Sequence, residues 1–596
     1  MTHKIQFLKK IFPVFLLLGL FWGTGTAQTP PILIDGSFSD WGNRQPIYTD
    51  PRGDANGSPI DFGRLWAGND NRFLFLSIEV GSPIVLQNDN AISLFIDTDN
   101  NPHTGEPVDG IGAELQWTFG QRNGFYFRNG ALLAIFHGDI GLVTAPSLSS
   151  DIFEMALNRT ATISGQKIFS SDTIHIVFRN ASGDELPNTG SVVTYVFGQD
   201  AQPPLPVLSI RRAPKADFRV VAYNVLHDGP FDPKRGPAFG KILSALHPDL
   251  IGFEEIYEHS ADEVAQLLNQ LLPLPSGQNW HAAKVNPDVL AVSRFPILKT
   301  VALGGNGAFL LDLRSIGKNK LLFIVAHPPC CNKDEKRQRE IDHIMAFVRD
   351  VKSGTGQVTV PRGTPILIAG DMNLVGDARQ LHTFLSGDIV NTGLYGTPFH
   401  PDWDGTDLAD LKPRHPNWPM AFTWFNPHSS YSPGRLDYMI FTDSVLKPLR
   451  DFVLFTPEMA PDSLRAFYLN KNETTLASDH LPVICDFSVE KSTRVGNRAQ
   501  LIPPRAFSLL PVFPNPFNPD TTIRIFVPKP ERVNLSIWSA TGHKVRSLAD
   551  GFLAAGTHTF RWNGRDERGK LVASGVYFCL AETRSARRIQ KITLLR

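Results

Sequence analysis

Short runs of apolar residues, broken by Gly, Asn and Asp, fill the chain from about Ile32 to Phe197. Phe73-Leu74-Phe75-Leu76-Ser77-Ile78 and Ser93-Leu94-Phe95-Ile96-Asp97 are examples, and strand and turn signals at such close spacing predict a β-sandwich. From Phe218 to Val489 the period changes. Phe218 to Tyr223, Leu250 to Phe253, Leu321 to Ala326 and Pro365 to Ala369 read as buried strands. Between them, Ser260-Ala261-Asp262-Glu263 forms a capping box, and Val264, Leu267, Leu268 and Leu271 follow at helical spacing. A second helix carries Ile341, Ile344, Val348 and Val351 on one face. This is a layered α/β pattern. From Phe507 onward strands return at Thr521 to Val527, Val533 to Ser539, Thr557 to Trp562 and Val576 to Leu580, with Gly in the turns, as in an immunoglobulin-like sandwich.

The pattern therefore divides the chain into an export signal (1–27), a β-sandwich (28–200), a Pro-rich linker (201–217), an α/β domain (218–490), a second linker (491–506) and an Ig-like domain (507–596). A chain of 596 residues exceeds one hydrophobic core, in keeping with several domains. The first segment pairs Lys4, Lys9 and Lys10 with an apolar run from Ile11 to Trp22, then small residues up to Ala27. That run is short for a bilayer span and reads as a secretory signal, with a retained anchor as the alternative. The formal net charge of zero disfavours tight, non-specific polynucleotide binding. Four cysteines exclude a disulfide framework; Cys330 and Cys331 are adjacent and read either as a strained bridge or as two thiols.

Acid, amide and histidine side chains stand at the ends of the predicted strands of the α/β block, where such scaffolds expose catalytic groups. Asn224 ends the first strand and Glu255 follows the second. His327 ends the strand Leu321 to Ala326, Asp371 and Asn373 follow Pro365 to Ala369, Asp437 sits in Gly434-Arg435-Leu436-Asp437-Tyr438, and Asp479 and His480 precede a short strand. Singly, each reads as a turn or edge residue. Together, each at the end of a buried run within one domain, they are harder to dismiss and point to one shared site.

In order, Tyr223-Asn224, Phe253-Glu254-Glu255, Ser293-Arg294-Phe295-Pro296, Ala326-His327-Pro328, Gly370-Asp371-Met372-Asn373, Leu436-Asp437-Tyr438 and Ser478-Asp479-His480-Leu481-Pro482-Val483 resemble the endonuclease/exonuclease/phosphatase superfamily. Its members include deoxyribonuclease I, abasic-site endonucleases, bacterial sphingomyelinases and inositol-phosphate 5-phosphatases. The resemblance implies a four-layered α/β sandwich and a metal-dependent phosphoesterase using Mg²⁺ or Mn²⁺. It implies Glu255 as principal metal ligand, with Asn224 beside it and Asp479 on the metal and water side. Asp371 would orient or deprotonate water, Asn373 would hold a phosphate oxygen, and His480 would act as acid or base with Asp437 fixing its tautomer. His327 would be a second phosphate donor. Arg294 matches a substrate-side arginine, with a structural ion pair as the alternative. The sequence departs from the family at Glu254, where Gln is usual; the extra carboxylate either alters metal binding or faces solvent. It also departs at Leu226, where the abasic-site enzymes carry an acid, with Asp228 close but out of register. Phe422-Thr423-Trp424-Phe425 reads as a stacking platform or a core strand.

Ile34-Asp35-Gly36-Ser37-Phe38-Ser39-Asp40-Trp41 and Phe95 to Gly105 resemble DOMON-like and family-nine carbohydrate-binding sandwiches, which implies a cell-surface glycan partner. The Asp97 to Asn101 turn suits Ca²⁺ or is a plain Asx-turn. Pro514-Asn515-Pro516-Phe517-Asn518-Pro519, Gly575-Val576-Tyr577-Phe578 and the basic end resemble the sorting domains of type IX secretion substrates. That implies contact with secretion machinery and a secreted or surface location. The substrate expectation is a phosphodiester, nucleic acid or phospholipid headgroup, with a phosphomonoester enzyme or an inactive adhesin as alternatives.

Overall fold

The computed structural model describes residues 30–490 and 507–594, apart from short gaps at 43, 56, 129, 182, 189, 199–200, 510–511, 513–516, 518–519, 555 and 585. The expected signal, the second linker and most of the Pro-Asn-Pro motif lie outside the described residues. The chain forms two units, 1–492 and 493–596.

The first unit begins with a five-stranded and a seven-stranded sheet. Alternate residues of both, among them Phe75's neighbours Leu74 and Leu76, and Leu94, Ile96, Trp117, Ile176 and Phe178, fill the space between them. The middle domain follows with two six-stranded sheets. Even-numbered positions of Phe218–Asn224 (Phe218, Val220, Ala222) face odd-numbered positions of Ile366–Asp371 (Leu367, Ala369), with Met439, Phe441, Val483, Cys485 and Phe487 in the same inter-sheet core. The opposite parity packs outward. Val221, Tyr223, Ile251 and Phe253 meet the helices Gly236–Leu246 and Ala261–Leu271. Leu322, Ile324, Ile366 and Ile368 meet the helix Asp334–Ser353 through Ile341, Ile344 and Val348. The result is helix, sheet, sheet, helix, the four layers expected. Ser260 caps its helix with the reciprocal Glu263 bonds.

Two features exceed the sequence reading. Segment 32–36 leaves the sandwich and pairs with the middle domain, where Ile34 N donates to Pro419 O (2.8 Å) and Ala421 N to Ile34 O (3.1 Å). Ile32, Ile34, Trp41, Phe73 and Phe75 share one apolar cluster with Met420, Phe422 and Phe455, so sandwich and α/β domain are fused through a common core. The 201–217 connection lies against both. Gln202 Oε1 accepts from Ile32 N (2.6 Å), and Ala213 N donates to Asp486 Oδ2 (2.7 Å).

The second unit pairs a three-stranded with a four-stranded sheet around Ile523, Ile525, Leu535, Ile537, Trp562 and Cys579. All four cysteines are free; Cys330 and Cys331 are exposed, Cys485 and Cys579 buried.

Candidate active site

The inward parity of the strands determines what meets at one end of the paired sheets. In Phe218–Asn224 the inward row ends at Asn224; in Leu250–Glu254 it ends at Glu254; in Ile366–Asp371 at Asp371; in Asp437–Phe441 it begins at Asp437. Asn224 is the register partner of Glu254 across the parallel pair, and Asp371 that of Asp437 across the antiparallel pair. Two carboxylates directly opposite repel each other. His480 relieves this: its Nδ1 is 2.9 Å from Asp437 Oδ2 and its Nε2 is 3.6 Å from Asp371 Oδ2. Ser478 holds the approach, because its Oγ donates to Asn224 O (2.9 Å) and accepts from His480 N (3.1 Å).

A second imidazole mirrors the first. His327 Nδ1 is 2.8 Å from Asp288 Oδ2, and its Nε2 is 3.5 Å from the same Asp371 Oδ2. Asn306 Oδ1 accepts from His327 N (2.8 Å) and anchors the strand end. The row Asp288, His327, Asp371, His480, Asp437 thus alternates sign. Burial opposes a charge on His480, yet Asp437 and Asp371 outweigh it and push the imidazole up to about 10. Burial likewise opposes a charged His327, but hydrogen bonds to Asp288 and Asp371 hold it well above its ordinary range. Asp371 is buried, which alone would raise it; the two imidazoles overcome that and lower it. Burial, against the pull of His480, keeps Asp437 raised.

Glu255 follows the strand with φ 64°, a left-handed conformation unusual for a side chain of this kind. That turn breaks the alternation, so Glu254 stays between the sheets while Glu255 emerges at the cleft. Asp288 Oδ1 accepts from Glu255 N (2.8 Å) and holds the turn. Glu255 Oε1 accepts from Asn224 Nδ2 (3.0 Å), which also reaches Asp371 Oδ2 (3.2 Å). Glu254 is fully buried, and neither of its carboxylate oxygens has a hydrogen-bond partner. The solvent-facing alternative for it is therefore overturned; burial, then Asp437, push its carboxyl well above the usual range. A β-carbon at Gly370 would collide with Glu254 Oε1 and Ala326 O, which accounts for the glycine before Asp371.

Asn373 also sits at positive φ (50°) beside the cluster, with its amide donating one hydrogen to Pro328 O (3.0 Å), a bond that fixes the side chain against the loop after His327. Asp479 is half-buried; its Oδ2 accepts from Trp424 Nε1 (3.1 Å) and its Oδ1 is buried without a partner. Trp424 thus orients a site carboxylate, while Phe422 goes to the core. Asp228 accepts from Tyr257 N (3.0 Å) and His259 Nδ1 (2.9 Å), a loop clamp and not a site acid.

Arg294 corrects an expectation. It follows Ser293, the register partner of Leu250 at the opposite end of the strand from Glu254. At about 3.3 Å per residue, the four steps from Leu250 to Glu254 put it roughly 13 Å along the strand from the cluster. Its guanidinium pairs with Asp249 (2.7 Å), the structural ion pair held open as the alternative. Asp288 and Asn306 were missed. Asp288 lies in an Asn-Pro-Asp turn and Asn306 between glycines, where nothing local distinguishes them from ordinary turn residues.

The donor set suits a hard cation. Among the described residues, the ion pairs of Glu255, Asp288, Asp371 and Asp437 are all with imidazoles, and Glu254, Asp437 and Asp479 keep buried oxygens unpaired. Oxygen donors in excess fit Mg²⁺ or Mn²⁺ and not a thiolate-bound metal. The carboxylates do not form a closed cage; among the described residues, acidic groups within 4.8 Å of one another occur in the sandwich. Mg²⁺ typically takes one or two carboxylates and keeps water, so an open arrangement suits it.

A comparison with curated proteins finds no match to the chain. Among solved structures, ANGEL2, a 2′,3′-cyclic phosphatase, is 17% identical over 46% of this chain and 96% of that one, with TM-score 0.32. TDP2 of D. rerio with a single-strand DNA product is 13% identical over 46% and 99%, TM-score 0.29. Sphingomyelinase C from Streptomyces griseocarneus is 17% identical over 45% and 98%, TM-score 0.27. Residues 520–586 match the model of the FlgD Ig-like domain, and residues 221–480, the segment that carries the whole cluster, match that of the Endonuclease/Exonuclease/phosphatase family.

Proposed function

We propose that the middle domain is a divalent-metal-dependent phosphoesterase that cleaves phosphodiester bonds in a nuclease-like manner. The observation that carries this reading is the convergence of two imidazoles on one oxygen of Asp371, each backed by its own carboxylate. Glu255, Asn224 and Asp479 would hold Mg²⁺ or Mn²⁺. Such an ion, when bound, neutralises charge that grows on the phosphoryl oxygens. Asp371 is held low and ionised, so it orients the attacking water as a hydrogen-bond acceptor, and it takes the proton as that water grows acidic on bonding to phosphorus. His480 and His327 present Nε2–H donors to phosphoryl oxygens, with Asp437 and Asp288 fixing their Nδ1 protons. His480 then protonates the leaving oxygen.

The resemblances of the flanking domains support an exported or surface-held protein, a glycan partner for the sandwich, and a sorting role for the Ig-like domain. In the sandwich, Asp97, Asp99 and Glu114 draw within 4.8 Å, which supports the Ca²⁺ reading of that turn.

The test is a substrate panel. The full chain with Mg²⁺ is offered plasmid DNA, RNA, bis-p-nitrophenyl phosphate, a phosphomonoester and sphingomyelin, with and without EDTA. EDTA-sensitive cleavage of a diester is expected. No hydrolysis of any substrate, beside firm glycan binding, would establish the adhesin reading instead.

A further inference from the structure

Away from the cleft, three carboxylates meet where the two sheets of the sandwich come to an edge. Asp50 directly follows Tyr48–Thr49, the edge strand of the five-stranded sheet. Asp184 opens Asp184–Leu186, the edge strand of the seven-stranded sheet. Asp54 comes from the loop after Asp50. One oxygen from each lies within 4.8 Å of the other two. Asp50 and Asp184 are each only 2% exposed, while Asp54 faces solvent. Asp61 adds a further negative charge that acts on both buried members.

The protein's own donors satisfy part of this cluster. Asn188 Nδ2 donates to Asp50 Oδ1 (3.2 Å) and Asp54 Oδ2 (3.0 Å). Phe62 N donates to Asp184 Oδ2, and Glu185 N to Asp184 Oδ1 (2.9 Å). One oxygen is left over: Asp50 Oδ2 is buried with no hydrogen-bond partner. A buried carboxylate oxygen without a partner, among like charges, is disfavoured unless a cation meets it. Arg52, the cation acting on Asp50, is engaged elsewhere, with Glu79 Oε2 at 3.1 Å and the Asp61 carbonyl.

We propose that Asp50, Asp54 and Asp184 form a calcium site that ties the two sheets together at their edges. All the donors are hard anionic oxygens. They come from separate segments, and the exposed Asp54 side leaves room for water. Calcium accepts six to eight oxygens in flexible geometry, at about 2.3–2.6 Å, whereas magnesium demands a near-ideal octahedron. No thiolate or imidazole belongs to the cluster, which disfavours zinc. The site is independent of the phosphoesterase reading, and its test reads binding and stability, not turnover.

The full chain, stripped with EGTA, is titrated with CaCl₂ by calorimetry and followed by thermal unfolding. Calcium is expected to raise Tm. Asp54→Asn, on the exposed side where it does not threaten the fold, weakens this calcium by about tenfold or more through lost ligand charge. Asp50→Asn combined with Asp184→Asn removes one calcium per chain. It also raises the calcium-free Tm, because repulsion is relieved, whereas a purely hydrogen-bonding role would lower it. Asp99→Asn, in the other acidic cluster, leaves this calcium bound. Unchanged calcium number and affinity in both Asp54→Asn and the double variant would overturn the proposal. Should the double variant not fold, Asp54→Asn decides alone.

Discussion

At one end of the middle domain's sheets, Arg219 and Asp486 face each other across Phe218–Asn224 and Val483–Val489, joined by two bonds of 2.6 and 2.8 Å. Both hydrogens of Arg219 Nη1 go to Ile210 O and Leu246 O, and neighbouring Asp249 takes Arg212, Arg294 and Arg219 N. Asp486, Asp249, Arg219, Arg212 and Arg294 each have an opposite partner there. At the other end of the same strands, acids outnumber cations, Asp371 opposes Asp437, and Glu254, Asp437 and Asp479 retain buried unpaired oxygens. Buried charge is costly unless paired, so the far end is built for stability. The near end tolerates strain and repulsion, as at the positive φ of Glu255 and Asn373, in exchange for groups poised to act. The contrast also explains why an arginine in a family-like motif serves structure: Arg294 lies at the paired end.

Substitutions should separate the two ends. The largest effect expected is on turnover: His480→Ala and Asp371→Asn each reduce kcat of the folded protein by about 10²–10⁴-fold, beyond anything their loss of buried pairing does to Tm, as initial rates on a diester normalised to the folded fraction and calorimetry would reveal. Wild-type rates in either would reject the roles given to them. Asp486→Ala should do the reverse. Leaving Arg219 buried and unpaired costs roughly 3–5 kcal/mol in urea unfolding, while the folded fraction keeps its kcat. A kcat loss as large as that of His480→Ala would erase the distinction between the ends.

Asp288→Asn should fall between, slowing hydrolysis by about 10–100-fold, since it both fixes the His327 ring and holds the Glu255 turn. pH sharpens the comparison further. His480 is raised from 6.5 to about 10, so its stabilising contribution is complete below the unfolded value and is lost as pH climbs toward about 10. Asp371 is lowered, so its contribution is present above the ordinary carboxylate range and is lost on acidification through its folded value. Metal-free wild type should therefore lose stability on the alkaline side, and His480→Gln should flatten that slope. An unchanged slope would mean that the imidazole is not held as a cation. The smallest effect is expected for Arg294→Ala. Its side chain is 35% exposed, so the pair is worth about 0–1 kcal/mol, and hydrolysis should stay within about twofold. A substantial rise in KM would return Arg294 to the substrate.

Part of this is legible in the sequence. Continuous apolar runs placed the strands ending at Asn224 and Asp371 to within a residue or two, because a strand covered on both faces needs apolar side chains at nearly every position; the strand that begins at Asp437 was not marked in this way. The capping box marked the start of Ala261–Leu271 through purely local bonds.

What the sequence by itself determined was therefore local or periodic: element type, buried face, and the residue types able to hold a cation and move protons. Only the tertiary structure decided which end of a strand a side chain occupies, as for Arg294, and which distant turn closes the site, as for Asp288. It also decided that Glu254 lies sealed between sheets and that the sandwich shares a core with the α/β domain. These depend on strand register and sheet stacking, which join residues far apart in the chain and leave no mark in any short window of sequence.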